Sequence, residues 1–199
     1  MTMIAFLAAI FFLLITPGPG VLSTAGVSAA FGAKPAYRYL TGLLIGTNLV
    51  ALAVVSGVAG LMLAHPIIRP VLLYFSVAYL IYLAAKIAFA GSKIAFIENK
   101  SAPGLFNGIA LQAINPKAYV VNTTLFTSFP FTQLTTTMEV IWKFLLINAI
   151  WIPIHLLWLA AGIGLKRMAL STQVQRRINI AMGASLLAVV LLAIFYQPK

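Results

Sequence analysis

Six apolar stretches run through this sequence, at roughly 3–30, 41–64, 67–90, 104–131, 140–165 and 178–196. Each supplies the about 20 apolar residues that an α-helix needs to cross a bilayer. Little between them can dress a water-soluble surface. Of the 199 residues 62% are hydrophobic and 8% charged, where a soluble domain carries roughly 25% charged residues. Glu98 and Glu139 are the only carboxylate side chains. These features predict an all-α integral membrane protein in which 1–199 form a single transmembrane domain of six membrane-spanning helices, with membrane lipids as its surroundings.

The formal charge of +11 does not point to nucleic acid. The basic residues are scattered between the apolar runs, as in loops that stay on the cytoplasmic side. The chain has no Cys, which excludes disulfides and Cys-ligated metal; no metal and no cofactor is expected. The first run has no Lys or Arg before it and no clear small-residue cleavage site, so it reads as a retained helix rather than a signal peptide.

Runs one and four are the longest, and both are interrupted. The first contains Thr16-Pro17-Gly18-Pro19-Gly20 and the fourth Asn115-Pro116-Lys117. Proline removes a backbone donor and clashes with the preceding turn, so an intact helix does not pass through either motif. Irregular backbone at membrane depth survives only where protein buries it or it lines a watery cavity. Pro17 and Pro116 stand 99 positions apart (116 − 17), about half the chain. The same offset carries run two onto run five. This predicts two halves, 1–98 and 99–199, of three helices each, the second inverted relative to the first. Matching interruptions in two such halves point to a transporter binding site.

Loop charge sets the orientation. Nine basic residues (Lys34, Arg38, Lys86, Lys93, Lys100, Lys166, Arg167, Arg176, Arg177) follow runs one, three and five, against three (Arg69, Lys143, Lys199) on the other side. The bias places both termini outside the cytoplasm.

Within the runs, Lys117 is the costliest residue, at about 2.5–3.5 kcal/mol for a charge at a helix centre. No carboxylate lies in any run to pair with it. Two readings stand: it snorkels or caps carbonyls freed by Pro116, or it faces a bound anion. The first motif likewise either kinks a helix or exposes the N-terminus of a half-helix starting near Val21, whose free N–H groups suit a carboxylate. Thr16 adds a hydroxyl there. Asn48, Gln112, Asn122, Asn148 and His155 complete the strongly hydrogen-bonding set, and helix-to-helix bonding accounts for it as a group. His155 alone among them titrates near neutrality when unperturbed, which makes it the candidate for carrying a coupling proton. Gly42 and Gly46, four apart, suit close helix packing.

With these motifs the chain resembles the lysine exporter (LysE/RhtB) superfamily. The resemblance rests on Thr16-Pro17-Gly18-Pro19 and Asn115-Pro116-Lys117-Ala118, supported by Gly42-Leu43, Gly46, Gly60-Leu61, Pro66 and the stretch Ala78-Tyr79-Leu80-Ile81-Tyr82-Leu83. It implies export of amino acids or related small metabolites across a bacterial inner membrane, driven by the proton or electrical gradient. Two departures matter. Gly20 stands where the family often has Asn, and no acidic group lies in the membrane, which points away from lysine and arginine as substrates.

The expected substrate-binding set is Thr16, Pro17, Gly18, Pro19, Gly20, Asn48, Asn115, Pro116 and Lys117, with the first break donating to a carboxylate and Asn115 receiving an ammonium group. The partner is a small amino-acid-like solute; a homo-oligomer is compatible with this reading. A membrane enzyme is disfavoured, since the apolar runs hold no clustered nucleophiles, acids or ligands. A channel or an accessory subunit shares the composition without needing matched breaks. Cysteine labelling is expected to find 34–38, 93–100 and 166–177 in the cytoplasm; labelling of 166–177 from outside overturns the orientation.

Overall fold

The computed structural model describes residues 3–16, 18–65, 67–89, 102–131, 133–168 and 171–195. Pro17, most of the loop carrying Lys93 and Lys100, and Tyr196 at the end of the sixth run lie outside the described residues. Among those described there are nine α-helices and no strand: α1 Met3–Ile15, α2 Pro19–Phe31, α3 Ala33–Val55, α4 Val58–Ala64, α5 Ile68–Ala88, α6 Leu105–Ile114, α7 Pro116–Thr127, α8 Thr136–Arg167 and α9 Thr172–Phe195.

Helices α3, α5 and α8 are long and apolar enough to cross a membrane, and α1 with α2, bent by 49° between them, makes a fourth candidate. Length and composition alone thus give three or four spans among the described residues. The fourth apolar run fails that test because Asn115 divides it into α6 and α7, of 10 and 12 residues. The second run begins earlier than its apolar stretch. Gly32, at φ +88°, turns the chain after α2, and α3 starts at once through the exposed Lys34 and Arg38. A positive φ of this kind is adopted at little cost only by glycine.

Solvation is inverted relative to a soluble protein. Leu52 and Leu157 are 54% and 67% exposed, whereas Ser23, Thr24, Ser28, Gln112, Asn122 and His155 are buried. An apolar exterior around a hydrogen-bonded polar interior is what lipid requires. Interior polar groups bond within and between helices: Tyr39 donates to Ser23 Oγ at 2.9 Å, and Thr24 to the Gly20 carbonyl at 2.8 Å.

Three close pairs build the bundle: α3 on α6, α2 on α8, and α5 on α9. Glycine sets the first. A Cβ on Gly42 would collide with the Leu105 carbonyl, one on Gly108 with the Tyr39 carbonyl, and one on Gly46 with Gln112 and Ile109. Small residues at a crossing let backbones approach and gain dispersion contact where no hydrophobic driving force exists between helices in lipid. The order of these contacts makes α3 and α6 run parallel. Likewise α2 runs parallel to α8, with Gly20 beside His155, Ala25 and Ser28 beside Gly162, and Ala30 beside Lys166.

α8 touches the end of α7 as well. Lys143, in its second turn, donates to the Phe126 carbonyl at 2.9 Å and pairs with Glu139 at 2.6 Å. It is 1% exposed and lies 5.3–5.9 Å from the ring centroids of Phe6, Phe126 and Phe131. Lys143 was counted above among loop charges; the structure instead places it inside the protein, because a carboxylate one turn away and three ring faces offset its desolvation. At the other end of α8, the exposed Lys166 donates to the Ala30 carbonyl of α2 at 3.3 Å. The last carbonyls of a helix lack partners within it, and a lysine ammonium suits them.

Lys143 is buried and its partner Glu139 is 20% exposed, so removing the lysine leaves a carboxylate and the Phe126 carbonyl without their cation. Lys143→Met is expected to lower stability in detergent by about 1–3 kcal/mol, read as a fall in Tm. Lys143→Met combined with Glu139→Leu is expected to recover most of that loss. If the double variant is no more stable than the single one, the carboxylate is not what the lysine offsets.

Candidate solute-binding site

Two helix starts frame the site. α2 begins with Gly18 extended at its N-cap and Pro19 in its first turn, two residues before the expected Val21. α7 begins with Asn115 extended and Pro116 in its first turn. Proline is favoured at a first helical position because its missing N–H would lack a partner there and its φ is already helical. Both motifs therefore start helices as well as ending them.

The starts are joined across the molecule. Lys117 Nζ donates to the Thr16 carbonyl, at the end of α1, over 2.6 Å. Its stem packs on Gly18, where a Cβ would lie 2.9 Å from Lys117 Cδ. The second break thus caps the first, rather than the carbonyls freed by Pro116. Thr16 turns its own hydroxyl back to the Phe12 carbonyl at 2.6 Å.

Around this contact lies a small cavity of about 50 Å³, partly open to the outside. Of the expected residues, Thr16, Gly18, Gly20, Asn115, Lys117 and His155 line it. Pro19 and Pro116 shape the helix starts without lining it. Asn48 is held elsewhere. It exchanges two hydrogen bonds with Asn148, of 2.9 and 2.8 Å, joining α3 to α8, so its amide serves helix contact.

Asn115 is also engaged. Its Oδ1 accepts from Lys117 N at 3.1 Å, and its Nδ2 donates to Gln112 Oε1 at 3.0 Å. It caps α7 and anchors Gln112, and its side-chain oxygen, where an ammonium group was expected, already accepts one hydrogen bond. His155 lies face to face with Trp151, ring centroids 3.6 Å apart at 14°, with Nδ1 2.9 Å from the Trp151 carbonyl. Gln112, Asn122 and Trp151 line the cavity too. In the sequence, Gln112 and Asn122 read as helix-to-helix contacts. The signal for Gln112 was its place three residues before Asn115, on the same helix face.

The profile of the LysE type translocator family matches residues 11–197. The chain belongs to this family. Among curated relatives, the chain is 28% identical to a leucine efflux protein of Klebsiella pneumoniae subsp. pneumoniae over 132 residues, 63% of this chain and 62% of that one. It is 30% identical over 129 residues to a leucine efflux protein of Salmonella typhimurium, 62% of this chain and 61% of that one. The match spans about three-fifths of the length of these relatives. No solved structure matches. Glycine, proline and lysine chemistry converge on one cavity, and among the described residues no group of three or more His, Asp or Glu is placed to hold a metal ion.

The double engagement of Asn115 separates stability from activity. Asn115→Ala is expected to lose the cap, about 1 kcal/mol, along with transport. Asn115→Asp keeps an acceptor for Lys117 N and should retain Tm, yet lose transport because a carboxylate cannot donate to Gln112 Oε1. Equal transport by Asn115→Asp and the unaltered protein would remove Gln112 from the site.

Proposed function

We propose that this translocator is a secondary exporter of amino acids or related small metabolites across the bacterial inner membrane, driven by an ion or electrical gradient. Its solute sits where the two helix breaks meet. The observation that carries this reading is the bond from Lys117 to the Thr16 carbonyl. It brings together two interruptions half a chain apart, beside a partly open cavity. The names of the leucine efflux relatives support a neutral aliphatic amino acid as the solute.

The architecture proposed with it is three helices plus three, the halves 1–98 and 99–199 related by a twofold axis in the membrane plane, both termini outside. A residue that touches its own equivalent lies on such an axis. Two contacts support one. Asn48 and Asn148, 100 apart (148 − 48) and so one position off the 99-residue offset of the breaks, bond reciprocally. Gly183 packs so tightly on Ala84, 99 before it (183 − 84), that a Cβ would lie 2.9 Å from the Ala84 carbonyl. Helix direction agrees: α2 leaves the cavity toward the Lys166 end of α8, and α7 leaves it toward the Lys143 end. Half-helices whose N-termini face a central site are the arrangement by which transporters hold anionic groups.

In this reading the first turn of α2 and Lys117 receive the carboxylate, and His155 is the group that a coupling proton reaches. Each event of export then requires Lys117 to exchange the Thr16 carbonyl for a solute. Proteoliposomes are expected to support counterflow of L-leucine with the unaltered protein. Lys117→Ala should abolish it at unchanged protein level, and Lys117→Arg should restore little, since a planar guanidinium does not replace a compact ammonium. Normal counterflow by Lys117→Ala would reduce the lysine to a cap. Absence of counterflow with every common amino acid would leave a channel or an accessory subunit.

A further inference from the structure

We infer that Gly20 is the floor of a subsite for the charged backbone groups of one zwitterionic amino acid, with the Gln112 amide as a donor to its carboxylate and His155 Nε2 as an acceptor from its ammonium group. This rests on the exporter reading above and specifies its solute.

The orientation of both side chains follows from backbone groups. Lys117 N–H can only donate, so the Asn115 atom facing it is Oδ1, at 3.1 Å. Asn115 Nδ2 then faces Gln112 and requires Oε1 opposite it, at 3.0 Å. Gln112 is left presenting its NH₂ to the Gly20 side. A main-chain N–H has thereby settled two amide orientations in succession. His155 follows similar logic. A carbonyl only accepts, so Nδ1, 2.9 Å from the Trp151 carbonyl, carries the proton. In the neutral ring Nε2 is then a bare acceptor. The stack on Trp151 fixes where it points.

Both atoms converge on Gly20. A Cβ there would lie 3.4 Å from His155 Nε2 and 4.0 Å from Gln112 Nε2, so the two atoms are at most 7.4 Å apart (3.4 + 4.0). No hydrogen bond joins them, and His155 and Gln112 are 3% and 4% exposed. Both residues line the partly open cavity, where a donor and an acceptor face the same position. A bent N–Cα–C(O)O unit, with charge-assisted bonds of about 2.8 Å at each end, fits that span. The first-turn N–H groups of Gly20 and Val21 add donors at the same helix start, and the Lys117 ammonium lies beside Gly18. Leu14, Val21, Val121 and Ile147 add apolar wall, with Thr47 and Asn122 as polar members beside them, and the apolar part suits an uncharged aliphatic side chain. Any side chain at position 20 would stand between the donor and the acceptor.

The test is inhibition of radiolabelled L-leucine counterflow in proteoliposomes by unlabelled leucine, 4-methylpentanoate (no ammonium) and 3-methylbutylamine (no carboxylate). Leucine should compete, and neither analogue should at tenfold higher concentration. Gly20→Ala makes only ordinary van der Waals contacts, so it should fold normally and still raise the half-saturating leucine concentration at least tenfold. Gln112→Ala should do the same. His155→Ala should weaken leucine while leaving 4-methylpentanoate unchanged, so that the two compete similarly. Counterflow in which 4-methylpentanoate rivals leucine against the unaltered protein overturns the subsite alone. So does unchanged half-saturation in both Gly20→Ala and Gln112→Ala. Absence of counterflow with every common amino acid overturns the exporter reading, and the subsite with it.

Discussion

Interrupting a helix inside a membrane creates a debt of hydrogen bonds that no water is present to settle. This chain makes two interruptions, and one lysine serves both. Lys117 belongs to the first turn of α7, and its ammonium closes on the carbonyl of Thr16 at the end of α1. The fold around it can be understood as what holds those two ends in register. The α3–α6 crossing at Gly42, Gly46 and Gly108 seats α6, and with it Asn115. The α2–α8 pairing at Gly162 seats α2 and brings His155 alongside Gly20. A change at either crossing would displace a helix start rather than a side chain. The cavity is thus a property of backbone placement.

Much of this was legible in the residues. Thr16–Gly20 and Asn115–Lys117 announce helix ends through local backbone chemistry, which needs no knowledge of neighbours. Gly42 and Gly46 signal close packing for the same reason, and the structure puts the Leu105 and Ile109 backbone against them. The family likeness, carried by the two proline motifs, agrees with the profile match over 11–197.

What stayed hidden depends on contacts across the bundle. Asn115 reads as a free amide until Lys117 N and Gln112 occupy both its ends. Asn48 reads as a site residue until Asn148 meets it. Lys143 reads as a surface charge, because a lysine stem is long enough for the ammonium to reach water or an inner partner. The i, i+4 spacing of Glu139 and Lys143 was the available clue, and such spacing occurs equally on exposed helix faces. His155 illustrates the division well: its chemistry is visible in the sequence, and the direction of its lone pair is not.

α8 has a further meaning for what insertions this protein can accept. From Lys143, on the end of α7, to Lys166, on the end of α2, it counts 23 residues (166 − 143), or about 35 Å of helix at 1.5 Å per residue. His155 lies near the middle of that count, 12 residues after one lysine and 11 before the other. One residue added or lost anywhere along the way would swing the far lysine by roughly 100° around the helix axis. It would also turn either His155 or its Gly20 neighbour out of alignment. The helix therefore behaves as a keyed shaft: many side chains along it are replaceable, whereas its residue count is not.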